Sequence, residues 1–361
     1  MTGKKERPSL QVPKKKAETA IRFLSKKAIL SRDFDFITLG EAISLPLTRT
    51  LSWKELSELL ELVPDATETQ QGFEPRNIYL QTLSAAMNGL IPQALMADLP
   101  KSYDIVGDIG ILELKADLVP YEQKIAQAIL AMHSNIHAVY AKAGRVEGDE
   151  RIRPLRHLAG ESRTTTVHRE FGCSFKVDLS TVFFSPRLST EHQRVANLVD
   201  EGERVVDMFA GVGPFSILIA KKTEKVAVDA IDSNPGAAKL IGENARINKV
   251  ASKIKVHNGD AVTVIHEELL HLATRVIMNH PSASKHFVGA ACDALGPSGG
   301  MIHYYTFAEG QDPEVGSRRE LEHSLKPIGY TIRQVQTLHR VREVAPMKWQ
   351  IVIDAEIIPG N

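Results

Sequence analysis

The sequence predicts an α/β protein, with a doubly wound, mostly parallel sheet in its C-terminal half preceded by smaller α+β modules. Three observations carry that prediction. After Asp200 the 361-residue chain alternates short apolar runs with helical stretches, the pattern of a parallel sheet with helices on both faces. The first run ends in DMFAGVGPF, a glycine-rich turn that opens a helix, and ligands bind at such turns. The next runs end on Asp232, Asp260 and Asn279, so polar side chains are delivered repeatedly to one edge.

Taken in order, residues 1–16 read as a polar, Lys-rich lead-in to KAETAIRFLSKKAIL, where Ala17, Ile21, Leu24, Ala28 and Ile29 keep helical spacing. FDFITLGEAISLPLTR reads as a strand pair turning at Gly40, and LSWKELSELLELV as an amphipathic helix. PDATETQQGFEPRN reads as a linker or insertion on its Pro, Gly, Thr and Gln content. From Tyr103, YDIVGDIGILEL is strand-like, LVPYEQKIAQAILAMH helical with Pro120 near its start, and IHAVYAKA strand-like again. Beyond Asp200 follow RVVDMF, PFSILIAKK, VAVDAID, PGAAKLIGENARINK, IKVHNGD, a helix and RVIMN; GGMIHYYTF, YTIRQVQTLHRV and WQIVIDAEII add three more strands. The expected domains are 1–50, a helical linker or insertion over 51–100, an α+β domain over 101–190 and the doubly wound domain over 191–361.

Bulk properties narrow the function classes. Apolar residues make up 43% and charged residues 24%, ordinary globular composition. No segment reaches the roughly 18 uninterrupted apolar residues of a membrane helix, and the N-terminus lacks the apolar core of a signal peptide. A cytoplasmic protein is expected, and a monomer. Cys173 and Cys292 are the only cysteines, which indicates neither a disulfide framework nor a cysteine metal site. Net charge is zero, yet Gly144–Arg169 concentrates Arg145, Arg151, Arg153, Arg156, Arg163 and Arg169 with His157 and His168. Such guanidinium density suits phosphate contact, or a salt-bridged solvated face.

The strand ends suggest the ligand. Gly211 and Gly213 remove side chains beside Asp207 and Phe209, allowing a cofactor to approach the backbone. A dinucleotide would favour three spaced glycines and a free helix N-terminus, but Pro214 deletes one of those donors. S-adenosylmethionine fits better. Asp232 is placed to accept ribose hydroxyls, with Ser233 beside it, and Asp260, next to Ala261, can accept from the adenine amino group. Each carboxylate alone could be a helix cap; three successive strand ends argue for a site. Asn279-His280-Pro281 ends the fourth strand, where an amide can hold an amide-like nitrogen of a base and Pro281 stiffens the turn. Ser282 stands where an amine-methylating motif would carry an aromatic, so exocyclic amine methylation is disfavoured.

The stretches HLAGESRTTTVHREFG, FKVDLSTVFFSPRLSTEHQR, DMFAGVGPFS, VIMNHP and IHYYTF, in that family's order along the chain, closely resemble the archaeal and eukaryotic tRNA (guanine-N1)-methyltransferases acting beside the anticodon. The resemblance implies a Rossmann-like, class I S-adenosylmethionine-dependent domain preceded by RNA-binding domains, the first a small tRNA-recognition module, with tRNA as partner. It implies cofactor contacts at His192, Asp232, Asp260 and Asn279, with neighbours Ser233 and Ala261. It also implies Glu191 as general base and Arg151 steadying the guanine oxygen. The chain departs from many relatives at His280, His192 and Phe183. Aminocarboxypropyl transfer, methylation of a wybutosine-type intermediate and an inactive tRNA-binding protein are the alternatives.

Overall fold

A computed structural model describes residues 4–74, 82–144 and 154–360. Arg151, with Arg145 and Arg153, lies outside the described residues. The chain divides into two compact units, Met1–Ala97 and Asp98–Asn361.

In the first unit a four-stranded antiparallel sheet runs in the order Ile37–Leu39, Ala42–Pro46, Lys5–Pro13, Thr67–Phe73. The hairpin turns at Gly40, which adopts φ +57° as expected. Leu10, Val12, Leu24, Leu45 and Leu59 form its core with the helices Ala17–Lys26 and Trp53–Leu62. Ser52 opens the second helix with a capping box to Glu55. Two strands run through segments read as polar lead-in and linker. Lys5–Pro13 is a central strand, and Thr67–Phe73 is the edge strand that pairs with it. Their burial does not alternate regularly, and Ser9 and Thr69 hydroxyls meet across the pair at 2.8 Å. Composition therefore marked as loop what pairing makes a strand.

In the second unit, Asp104–Val106, Ile109–Leu112, Ala138–Lys142 and Leu155–Gly160 form a four-stranded sheet backed by the helix Glu122–Met132. The hairpin Thr165–Glu170 and Cys173–Asp178 leads into the large sheet. Its strands are β1 (Arg204–Asp207), β2 (Ala227–Asp232), β3 (Ile254–Asn258), β4 (Arg275–Met278), β5 (Gly300–Glu309), β6 (Tyr330–Ala345) and β7 (Lys348–Pro359). They lie in the order 3-2-1-4-5-7-6. The first five are parallel, and β7 inserts antiparallel between β5 and β6. Successive β1 residues alternate faces as strand geometry requires, Val205 joining one core and Val206 the other. On the first face pack the helices Pro214–Lys222 and Pro235–Ile247; on the second, Val288–Ala294 and Pro313–Leu325. The predicted doubly wound class is therefore the one found. Among the described residues no helix is long and apolar enough to cross a membrane.

Candidate active site

A cavity of about 470 Å3 opens at the C-terminal ends of β1 to β4. Its wall holds His192, Phe209, Gly211, Asp232, Ser233, Asp260, Ala261 and Asn279, together with Phe183, Phe184, His280 and Phe287. Eight residues expected at a cofactor site thus meet in one place.

Backbone geometry sets each. β1 delivers the turn Met208–Gly213, whose Gly211 N–H donates to Asp232 Oδ2 at 2.7 Å. Asp232 Oδ1 accepts from Asn234 N–H at 2.9 Å, so the carboxylate is aimed from both oxygens. Asn234 caps the helix Pro235–Ile247 and donates to Thr181 O at 2.6 Å, tying the loop before the cavity to this helix. Asp260 caps the next helix through Thr263 N–H at 3.0 Å while lining the cavity. Cap and wall residue are therefore one side chain. Asn279 Oδ1 accepts from Gln350 Nε2 at 3.3 Å, and Gln350 is itself held by Arg342, which also donates to Ser185 in the cavity wall. His280 tilts against Phe209 (5.1 Å between centroids), and Phe287 packs edge-on to Phe209 at 4.9 Å. The histidine that broke the expected motif belongs to an aromatic wall.

Four expected residues stand elsewhere. Asp207 is fully buried below the turn, accepting from Ser216 Oγ at 2.7 Å. Burial, with Asp232 nearby, pushes its carboxyl up to about 7. Gly213 adopts φ +88° as N-cap of Pro214–Lys222 and is not in the cavity wall. Pro281 is buried and its carbonyl accepts from Phe307 N–H at 3.2 Å, anchoring the turn to β5. Glu191 lies behind the wall, on the helix Ser189–Ala196 next to His192.

Two buried polar groupings support the wall, each joining one short-range pair, Glu191–Arg194 or His168–Glu170, to partners far along the chain. His192 Nδ1 meets Glu170 Oε2 at 2.9 Å, and the ring packs edge-on to Phe215. Gly107 N–H donates to His168 Nδ1, leaving the His168 proton on Nε2, 3.4 Å from Glu170 Oε1. Burial would raise Glu170, but these two histidines hold it below the usual carboxylate range. Glu191 accepts from Tyr305 OH at 2.7 Å and from Arg194 Nε and Nη2 at 2.9 and 2.6 Å, with His339 Nε2 at 3.6 Å. Burial alone would raise its carboxyl, but His339, Arg194 and Tyr305 bring it down to about 2.

Among known proteins, the profile described as the TRM5/TYW2 methyltransferase domain matches residues 166–333, and that of the TYW2 N-terminal domain residues 83–164. The tRNA (guanine(37)-N(1))-methyltransferase Trm5b of Pyrococcus abyssi is 36% identical over 349 residues, covering 97% of this chain and 98% of its own. The chain belongs to the tRNA (guanine(37)-N(1))-methyltransferase family. A solved complex of aTrm5 with tRNALeu matches this family member with a TM-score of 0.68 at 29% identity, over 96% of this chain and 99% of its own. Methanocaldococcus jannaschii TYW2, solved in complex with AdoMet, matches at a TM-score of 0.55 and 25% identity, over 72% of this chain and all of its own. Within this family member, the strand-end residues Asp232, Asp260 and Asn279 were readable from sequence. Glu170, Tyr305, Gln350 and Asp354 were missed because each acts across 22 or more residues or sits inside a strand pattern that reads as core, and Arg194, three residues from Glu191, because its second partner Asp354 lies 160 residues away.

Proposed function

We propose that the protein transfers a methyl group from S-adenosylmethionine to N1 of guanosine 37 in tRNA. One observation carries the reading: the polar ends of β2, β3 and β4 converge on a single cavity in a chain that matches a guanine(37)-N(1) enzyme along its whole length.

The residues present fit the cofactor. Asp232 offers a carboxylate for ribose hydroxyls, Asp260 an acceptor for an adenine amino group, and Phe209, Phe287 and Ala261 apolar surface. At Gly211 a Cβ would meet nothing nearer than Phe183 O at 3.7 Å, so the backbone there stays open to a ligand. When bound, S-adenosylmethionine supplies an electrophilic sulfonium methyl.

The chain's own groups do the rest. Guanine N1 carries a proton, and its lone pair is free to attack only as that proton leaves. Glu191, ionised throughout the neutral range, is the base we assign; general-base help of this kind is worth roughly a hundred- to ten-thousand-fold. The proton would go to a Glu191 oxygen, leaving the N1 lone pair free to take the methyl group that the bound cofactor would supply, with the thioether as leaving group. Negative charge developing on the guanine oxygen is assigned to Arg151. Asn279 and the stiff turn at Pro281 hold the base edge.

The test uses purified protein, radiolabelled S-adenosylmethionine and tRNA transcripts. Guanosine at position 37 should be labelled and yield 1-methylguanosine on nucleoside analysis, and its replacement by adenosine should abolish incorporation. Undiminished labelling of the adenosine transcript, or a larger transferred group, would overturn the reading.

A further inference from the structure

Arg194 binds two buried carboxylates at once. Its Nε and Nη2 face Glu191, while Nη1 and Nη2 reach Asp354 Oδ2 and Oδ1 at 2.5 and 3.2 Å. Asp354 lies on β7, fully buried, and accepts from His303 Nδ1 at 2.6 Å. His303 is equally buried, and its Nε2 accepts from Arg275 Nη1 at 2.9 Å, fixing the ring as a neutral donor to Asp354. Burial holds His303 below its ordinary value. One guanidinium therefore serves two anions, and Nη2 is common to both.

This arrangement conflicts with a base acting as it stands. An oxygen of Glu191 that accepts a charged donor at 2.6 Å is poorly disposed to take a proton from guanine. Asp354 offers a second resting place for the same guanidinium without leaving it buried and unpaired.

The geometry points to Arg194 as a positioning residue that exchanges between Glu191 and Asp354: it holds Glu191 ionised and aligned in the free protein, and moves wholly onto Asp354 when guanine N1–H engages Glu191. The inference rests on the reading of Glu191 as base. The groups around the pair are Arg194 on Glu191's own helix, Tyr305 and His303 from β5, Arg275 from β4, His339 from β6 and Asp354 from β7. Of these, only Arg194 bonds both carboxylates.

Single-turnover methyl transfer measured against pH in the full-length protein tests the exchange, with S-adenosylmethionine affinity as a check of folding. Arg194→Gln should move the acid limb of the profile up by at least about one pH unit, because Glu191 loses its cationic partner. Asp354→Asn removes the second resting place, traps Arg194 on Glu191 and should slow transfer on the order of tenfold without changing the cofactor affinity. In Arg194→Gln/Asp354→Asn the Asp354 substitution should cost little further, a non-additivity that a merely structural role does not produce. An unmoved acid limb in Arg194→Gln, or additive losses in the double variant, overturns the exchange. Should Asp354→Asn fail to bind S-adenosylmethionine, the limb of Arg194→Gln decides alone; should Arg194→Gln fail, Arg194→Met decides, since it too removes the cation beside Glu191 and an unmoved limb again overturns the idea. Glu191→Gln separates the two readings. Wild-type single-turnover rates in that variant remove Glu191 as base, whereas a slow Glu191→Gln with an unmoved Arg194 profile removes the exchange only.

Discussion

Asp207 and Glu191 are both buried carboxylates, and their surroundings drive them in opposite directions. Glu191 has Arg194, Tyr305 and His339 against it; Asp207 has one hydroxyl donor and a second carboxylate nearby. Asp207 is thus raised to about 7, above its unfolded value near 4. The folded state binds the proton more tightly, so this group's stabilisation is full below about pH 4, declines as pH rises to about 7 and stays lost above that. Asp207→Asn does not titrate. The thermal midpoint of the wild type should therefore fall relative to Asp207→Asn between pH 4.5 and 8, by an amount equivalent to a few kcal/mol by order of magnitude. A difference independent of pH would contradict the buried, protonated carboxyl. At this scale the sequence was informative where a residue ends a strand and silent where it acts across the fold. Asp232 and Asn279 directly follow apolar residues and Asp260 comes two residues after β3, whereas Glu170 beneath His192 and Asp354 beneath Arg194 are joined only by tertiary packing.

At the scale of elements, the turn from β1 into the helix Pro214–Lys222 carries two glycines with different duties. Both adopt a left-handed backbone, φ +57° at Gly211 and +88° at Gly213, but Gly211 leaves open space beside Phe183 O, while Gly213 packs where a Cβ would meet Ile217 Cδ1 at 3.1 Å and Ile241 Cγ2 at 3.4 Å. An L-residue in that conformation costs roughly 1–2 kcal/mol before any contact is counted. Gly213→Ala should lower stability in urea by at least that much. Gly259→Ala meets Val264 Cγ2 at 3.1 Å without a positive φ, so its loss should be smaller. Equal losses would place the cost in crowding and not in backbone conformation. The glycines were legible as a cluster, but which one lined the cavity and which packed against the helices was not. The strands Lys5–Pro13 and Thr67–Phe73 escaped for a related reason: Lys5–Pro13 becomes a strand by pairing on both sides and Thr67–Phe73 by pairing with it, and neither polar run carries regular alternation of its own.

At the scale of the whole molecule, the parallel sheet was legible because buried parallel strands need continuous apolar runs, and five of them are spaced by helices. Every cavity residue lies between Phe183 and Phe287, inside the unit Asp98–Asn361. The polar groups that aim them do too, including Gly107 through His168 and Glu170, and Gln350 for Asn279. None of these hydrogen bonds draws on the first unit, so cofactor affinity and tRNA methylation should separate on truncation. A chain beginning at Asp98 should bind S-adenosylmethionine within about threefold of the full-length protein by calorimetry. Its kcat/KM on tRNA then measures what Met1–Ala97 adds to substrate capture. A tenfold or greater loss of cofactor affinity, in a fragment that still unfolds cooperatively, would mean that the cavity depends on the first unit and that Asp98–Asn361 does not shape it unaided.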